Sequence, residues 1–302
     1  MRFSIWPSLQ QPWADVLAVA RHADATGWDG VYLADHFMGD GTSFGAVDTP
    51  TLEATAGLAA LAASTERVRL GSLVLGNTYR HPAVLASWAV TVDHVSGGRL
   101  TLGIGAGWQE NEHEQYGIAL PPPGERLDRF EEACLVLRGL LREPRTTVGG
   151  AHYQLTDAVS EPKPLQDPLP LLIGGKGDRM LGIVARHADR WNLWGLAPHV
   201  AERAQVLERR CEAVGRDPGA IARSAQALVL LTDDADKAER FLAGAGGRAA
   251  VAGGTAQVAE AVADWQRIGL DEVIVPDFAL GRGAHKLERM DALIEEVAPS
   301  FR

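Results

Sequence analysis

Residues Val31 to Phe37 read VYLADHF, an apolar run that ends in a carboxylate beside an imidazole. At a strand tip, Asp35 and His36 can form the floor of an active site, with the imidazole giving or taking a proton near neutral pH. The same pair can equally start a loop, with the Asp capping a helix. Two glycine clusters raise a second possibility: GIGAG at 103–107 and GGKG at 174–177. The first lacks the third-glycine spacing of a dinucleotide fingerprint, and the second lacks the spacing and Ser/Thr of a P-loop. Alone, either cluster does no more than turn a strand into a helix. Together, at two strand tips of one face, they let backbone approach a flat, phosphate-bearing ligand. GGKGDRM also runs into a helix, so its N–H groups and Lys176 can hold an anion. Trp6, Trp108, Trp191 and Trp194 fall at or near strand tips, and an aromatic-lined mouth suits a planar ring. Core packing is the plainer reading for Trp191, and for Trp13, Trp28, Trp88 and Trp265 in or beside helices.

Those residues need elements to position them. Short apolar runs read as strands at 3–8, 30–35, 67–76, 99–107, 170–175, 189–195, 222–232 and 271–277. Amphipathic stretches at 13–27, 51–65, 82–98, 124–141, 178–187, 198–214, 235–243, 255–268 and 284–296 read as helices, several stopped by glycine. Strands alternating with helices mean parallel βαβ units. Eight units in a chain of 302 residues fit an α/β fold of the (β/α)8 barrel type; a doubly wound open sheet is the runner-up. The rhythm runs to both ends without a linker, so 1–302 is read as one domain. Its one break is 143–170, where TTV-GG-AHYQL suggests a small inserted hairpin around Gly149–Gly150. In such a barrel the strand C-terminal ends form the active face. Asp35, His36, Asn77, the two glycine clusters and Trp194 then share it.

Bulk properties exclude several classes. The net charge of −10 and the lack of a basic stripe argue against nucleic acid and an anionic membrane surface. The N-terminus has no basic region followed by a long apolar stretch, and no segment reaches the length of a membrane span. A cytoplasmic location is expected. Cys134 and Cys211 lie in helical patterns outside any CxxC, and read as buried, reduced thiols.

Chemical classes fall away too. The first strand has no His, there is no HExxH, and the nine histidines are scattered, so no metal is expected. Of Lys163, Lys176, Lys237 and Lys286, none lies in a strand interior, where Schiff-base chemistry would need one.

LADHF, RVRLGSLVLGNTYRHPAVLA, DHVSGGRLTLGIGAGW, PLLIGGKG and ARHADRWN, in that order, resemble the luciferase-like monooxygenase superfamily. The likeness is strongest to its deazaflavin branch, the coenzyme F420-dependent oxidoreductases. The resemblance spans nearly the whole chain, and NTYRHP together with GAGW is its more specific part. It implies a (β/α)8 barrel with insertions that binds F420 or FMN at the strand C-terminal ends. By the same resemblance His36 is the proton donor or ring-positioning group, and Asp35 borders the ring and orients the site. Gly105, Ala106, Gly107, Trp108 and Gln109 run beside the ring and ribityl chain. Gly174, Gly175, Lys176 and Gly177 form the phosphate-side loop, and Asn77 and Trp194 belong to the same face. A non-prolyl cis peptide behind the ring is expected at Leu73–Val74. Family members are commonly homodimers.

One departure narrows the substrate. Sugar-phosphate dehydrogenases of the family carry a glutamate where this chain has Ala106, so a sugar phosphate is not expected. Hydride transfer between F420 and an unidentified small organic molecule is the favoured reading. An FMN-dependent monooxygenase and a non-catalytic flavin-binding barrel are the alternatives. An acidic cofactor tail would favour exposed cations, and Lys176, Arg179 and Arg80 are the candidates. Specificity is expected from the loops 38–48, 109–123 and 244–254.

Overall fold

Eight parallel strands close on themselves in the computed structural model, which describes residues 1–42 and 44–302. They are β1 (Arg2–Trp6), β2 (Gly30–Leu33), β3 (Arg69–Ser72), β4 (Leu100–Gly105), β5 (Leu171–Gly174), β6 (Arg190–Trp194), β7 (Ala222–Gln226) and β8 (Glu272–Pro276). Each pairs with its sequence neighbours, and β8 returns to β1 with Phe3 opposite Val273. Ten helices are described, α1 to α10: Trp13–Ala25, Ala54–Ser64, Pro82–Ser96, Glu110–Tyr116, Pro123–Arg142, Asp178–His187, Ala197–Ala213, Ala235–Ala243, Thr255–Arg267 and Gly283–Ala292. The local chemistry explains their ends. His81 caps α3, Pro82 opens it without losing a hydrogen bond, and Gly97 stops it at φ 68°.

The chain differs from the sequence expectation in two places. The run 222–232 is not one strand. Ala222–Gln226 stays in the barrel, while Leu228–Leu231 leaves it and pairs in parallel with Ala250–Gly253, inside what was expected to be a loop. The stretch 109–123 contains α4, ended by Gly117 at φ 65°. The hairpin falls in the expected insertion, as strands Thr146–Gly149 and Gln154–Ala158. Ser43, within the loop 38–48, lies outside the described residues.

Period-2 alternation points one set of strand side chains into the barrel. The lower interior is polar: Glu272 accepts from Ser4 at 2.5 Å, from Tyr32 at 3.3 Å and from Arg190. Burial raises the Tyr32 phenol far above its ordinary range, with the Glu272 charge adding to the effect. The upper interior is apolar, a cluster of Trp6, Tyr32, Leu73, Leu172 and Ile274. A hydrogen-bonded layer thus fills one end of the barrel and an apolar layer the other. Among the described residues no helix is long and apolar enough to cross a membrane.

Candidate active site

After Ser72 the third strand bulges, and it resumes at Leu75–Gly76, paired with Ile104 and Gly105. Ser72 Oγ fills the gap, donating to Gly103 O at 2.7 Å and accepting from Gly103 N at 2.9 Å. The Leu73–Val74 peptide is cis, as expected from the resemblance. Val74 then projects between the tips of β4 and β5. A Cβ on Gly105 would come within 2.8 Å of Val74 Cγ2, and one on Gly174 within 3.1 Å of Val74 Cγ1. These two glycines therefore make room for Val74, and the valine forms a hydrophobic step at the barrel mouth.

Asp35 and His36 part company at the end of β2. The Asp35 side chain is 1% exposed. It accepts from Arg80 at 2.6 and 3.0 Å and from Gly76 N at 2.9 Å. Arg80 also reaches Glu53 at 2.5 Å. Asp35 thus ties the β2 tip to the third-strand bulge.

His36 points the other way. Its Nδ1 lies 3.0 Å from Glu112 Oε1, and its ring stacks on Phe44 and meets the edge of Trp108. Glu112 is wholly buried. It also accepts from Phe37 N at 2.9 Å and from the Tyr79 hydroxyl. Burial alone would raise the Glu112 carboxyl; the hydrogen bonds from His36 and Tyr79, His36's charge and the Phe37 N–H bring it below its ordinary range. The Tyr79 phenol is pushed far up by burial and then by Glu112, so it stays a donor. An ionised Glu112 accepts only, which assigns the His36 proton to Nδ1. Nε2 is then the nitrogen available for proton transfer. Sequence reasoning missed Glu112, because 109–123 reads as a loop. The signal was Gly117, a helix stop that makes the segment a helix with an inner face.

The remaining expected residues divide into groups. Asn77 is buried; its N–H donates to Gly105 O at 2.9 Å and its amide faces Tyr153 of the hairpin at 3.4 Å. Ala106 is buried, and Gly107 turns at φ 86° against Thr78. Gln109 is buried, donating to Met38 O at 3.2 Å, while its Oε1 has no partner among the described residues. Trp108 is half exposed beside His36. Trp194 packs on Trp6 at 5.8 Å between ring centroids.

On the β5 side, Gly175 N donates to Asn192 O and Gly175 O accepts from Trp191 Nε1. Gly177 opens α6 without a side-chain cap, and a Cβ there would meet nothing within 4 Å. The uncapped N–H groups and exposed Lys176 fit an anionic group. Of the three cations expected to be available, Arg80 pairs with Asp35 and Glu53 and Arg179 with Asp128; Lys176 has no ion pair among the described residues.

A cavity of about 1320 Å³ opens on this face. His36, Trp6, Ala34 and Phe44 line it at the barrel, and Leu228, Leu230 and Phe278 continue the apolar wall. The 105–109 and 174–177 tips and Glu112 do not line it. The mouth thus has two parts meeting near His36: glycine-rich tips on one side and a roomy apolar cavity on the other. Among the described residues, no three His, Cys, Asp or Glu side chains are grouped to hold a metal.

The sequence of this closed eightfold barrel matches a known family. The luciferase-like monooxygenase family profile matches residues 1–245, and the chain belongs to that family. It is 33% identical over 224 residues to an F420-dependent glucose-6-phosphate dehydrogenase of Kineococcus radiotolerans, covering 73% of this chain and 64% of that protein. A protein of the same name from Beutenbergia cavernae is 35% identical over 176 residues, 58% of this chain and 51% of that one. The matches thus span less than two thirds of those relatives' lengths. An F420-dependent secondary alcohol dehydrogenase, solved with an F420–acetone adduct, superposes with a TM-score of 0.87 at 19% identity, covering 100% of this chain and 99% of the other. At that identity the likeness is one of fold.

Proposed function

We propose that this chain is an F420-dependent oxidoreductase that passes a hydride between the deazaflavin and a small organic molecule. The observation that carries the reading is the His36–Glu112 contact, which leaves a proton-transferring nitrogen on a ring that lines the cavity. The names of the curated relatives support F420 as the cofactor. The deazaflavin, when bound, supplies hydride transfer. The protein supplies position and the proton. With the cofactor bound, Lys176 and the N–H groups at Gly177 would hold its phosphate, and Val74 would back the ring. Asn77, Ala106 to Gln109 and Trp194 would border it, with Gly105 making room for Val74 behind it. His36 Nε2 takes a proton from, or returns it to, the reacting oxygen or nitrogen. No carboxylate stands at Ala106, and Glu112 lies behind His36 and does not line the cavity, so the proton falls to His36.

Titrating the purified protein with F420 and with FMN separately, by quenching of tryptophan fluorescence, tests the proposal. Tighter F420 binding is expected. Tighter FMN binding would move the reading to an FMN-dependent monooxygenase, and binding of neither would defeat both. His36→Ala separates a catalyst from a flavin-binding barrel, because a mere binder has no turnover to lose.

A further inference from the structure

The cavity beside His36 has a charge opposite to that of the whole chain. Five cationic side chains line it: Lys237, Arg240, Arg248, Arg282 and Lys286. Among the described residues Asp15 and Asp277 are its only carboxylates, in a chain of net charge −10. Lys286 and Asp277 neutralise each other at 2.5 Å, both buried, with Gln11 bonded to both. Lys237, Arg240 and Arg282 are exposed and have no ion pair among the described residues. They come from two separate elements, α8 and the start of α10.

The sorting on α8 is informative. Lys237, Arg240 and Phe241 stand at helical spacing i, i+3, i+4 and line the cavity together. Asp236 and Glu239 of the same helix do not line it. The helix therefore presents its cations and an aromatic ring inward and its acids elsewhere. The same cavity has apolar lining in Trp6, Phe44, Leu228, Leu230 and Phe278. A cleft of one charge sign with low-dielectric walls concentrates ligands of the opposite sign.

We infer that the substrate is an amphipathic organic anion, whose aromatic or aliphatic body fills the apolar wall and whose acidic group meets Lys237, Arg240 and Arg282. The inference rests on the proposed redox reading for its chemistry but not for the binding itself. The body reaches His36 while the acid stays at the rim, so the reacting carbon and the anion are at opposite ends of the molecule.

Two matched probes test this: phenylbutyrate and phenylbutanol, titrated by calorimetry into the wild-type protein, with and without saturating F420. The carboxylate is expected to bind about tenfold tighter at low salt, the size of two or three exposed ion pairs, and to lose that advantage at high salt. The triple variant Lys237→Glu, Arg240→Glu, Arg282→Glu should lose the preference while binding phenylbutanol and F420 as before. Should that variant not fold, the all-Gln version carries the same expectation. Equal affinity for the probes, binding of neither, or a preference that survives in the variant overturns the inference. A variant that loses F420 affinity overturns it too, because the cations would then hold the cofactor. Failure of F420 to bind the wild type defeats only the cofactor reading, since the probe comparison stands without it.

Discussion

His36 and Glu112 meet at 3.0 Å across 76 residues of chain, one from the tip of β2 and the other from α4. The carboxylate carries three further consequences, because Tyr79, Phe37 and His36 all depend on it. It fixes one tautomer of the imidazole, anchors the backbone just after it, and keeps a phenol protonated beside it.

Replacing Glu112 should therefore separate position from proton transfer. His36→Asn is expected to lower turnover by about 10²- to 10⁴-fold with cofactor affinity retained. Glu112→Gln, which can no longer demand a donor from Nδ1, should lower kcat with little change in cofactor affinity. Nitrogen NMR of the His36 ring should show a changed tautomer mixture in that variant without any cofactor. An unchanged ring spectrum would remove Glu112 from the positioning role.

The same carboxyl sets a pH dependence. Its folded pKa lies below the unfolded value, near 4.3, so the unfolded chain binds more protons between the two. Its contribution to stability is complete above the unfolded value and is lost as pH falls through the lower folded value. Denaturant melts of wild type and Glu112→Gln should show a smaller acid-range slope in the variant. Parallel slopes would contradict the assignment. Other depressed carboxyls, such as Glu131, are common to both proteins and cancel in the comparison.

Arg80 is a structural cation. Arg80→Met leaves the buried Asp35 carboxylate with only the Gly76 N–H, and should destabilise the fold by about 3–5 kcal/mol. Arg80→Lys should recover only part, since one ammonium cannot repeat the two-pronged contact. Thermal melts give both values.

Val74 and Gly105 form a size-matched pair. Gly105→Ala should cost about 1–3 kcal/mol through overpacking. Adding Val74→Ala should return part of that loss, so the two changes are not additive. Additive losses in denaturant melts would mean that Gly105 serves some other contact.

The barrel was legible in the sequence because its signals are local. Alternating apolar runs and amphipathic stretches repeat eight times, and glycines and prolines mark many of the ends. His36 was legible for the same reason, standing at the end of one such run. The division of labour between Asp35 and His36 was not, since it depends on Arg80 and Glu112, which the chain brings in from 45 and 76 residues away. The break within 222–232 and the strand Ala250–Gly253 were missed because Leu228–Leu231 and Ala250–Gly253 are short and, among the described residues, pair with each other. The glycines of GIGAG looked like ligand contacts, yet Gly103 and Gly105 face the bulge of the neighbouring strand. Composition alone does not tell a glycine that admits a ligand from one that admits a side chain.

The excursion of the chain after β7 separates closing the barrel from walling the cavity. The barrel closes without residues 228–253, yet that segment supplies Leu228, Leu230, Lys237, Arg240 and Phe241 to the cavity wall. Because its own parallel ladder holds it together, its surface can be rewritten while the eight staves and the His36–Glu112 pair keep their register. The segment is a separable wall: a change on its cavity face alters what the cavity admits and leaves the barrel ladder and the His36–Glu112 contact as they are.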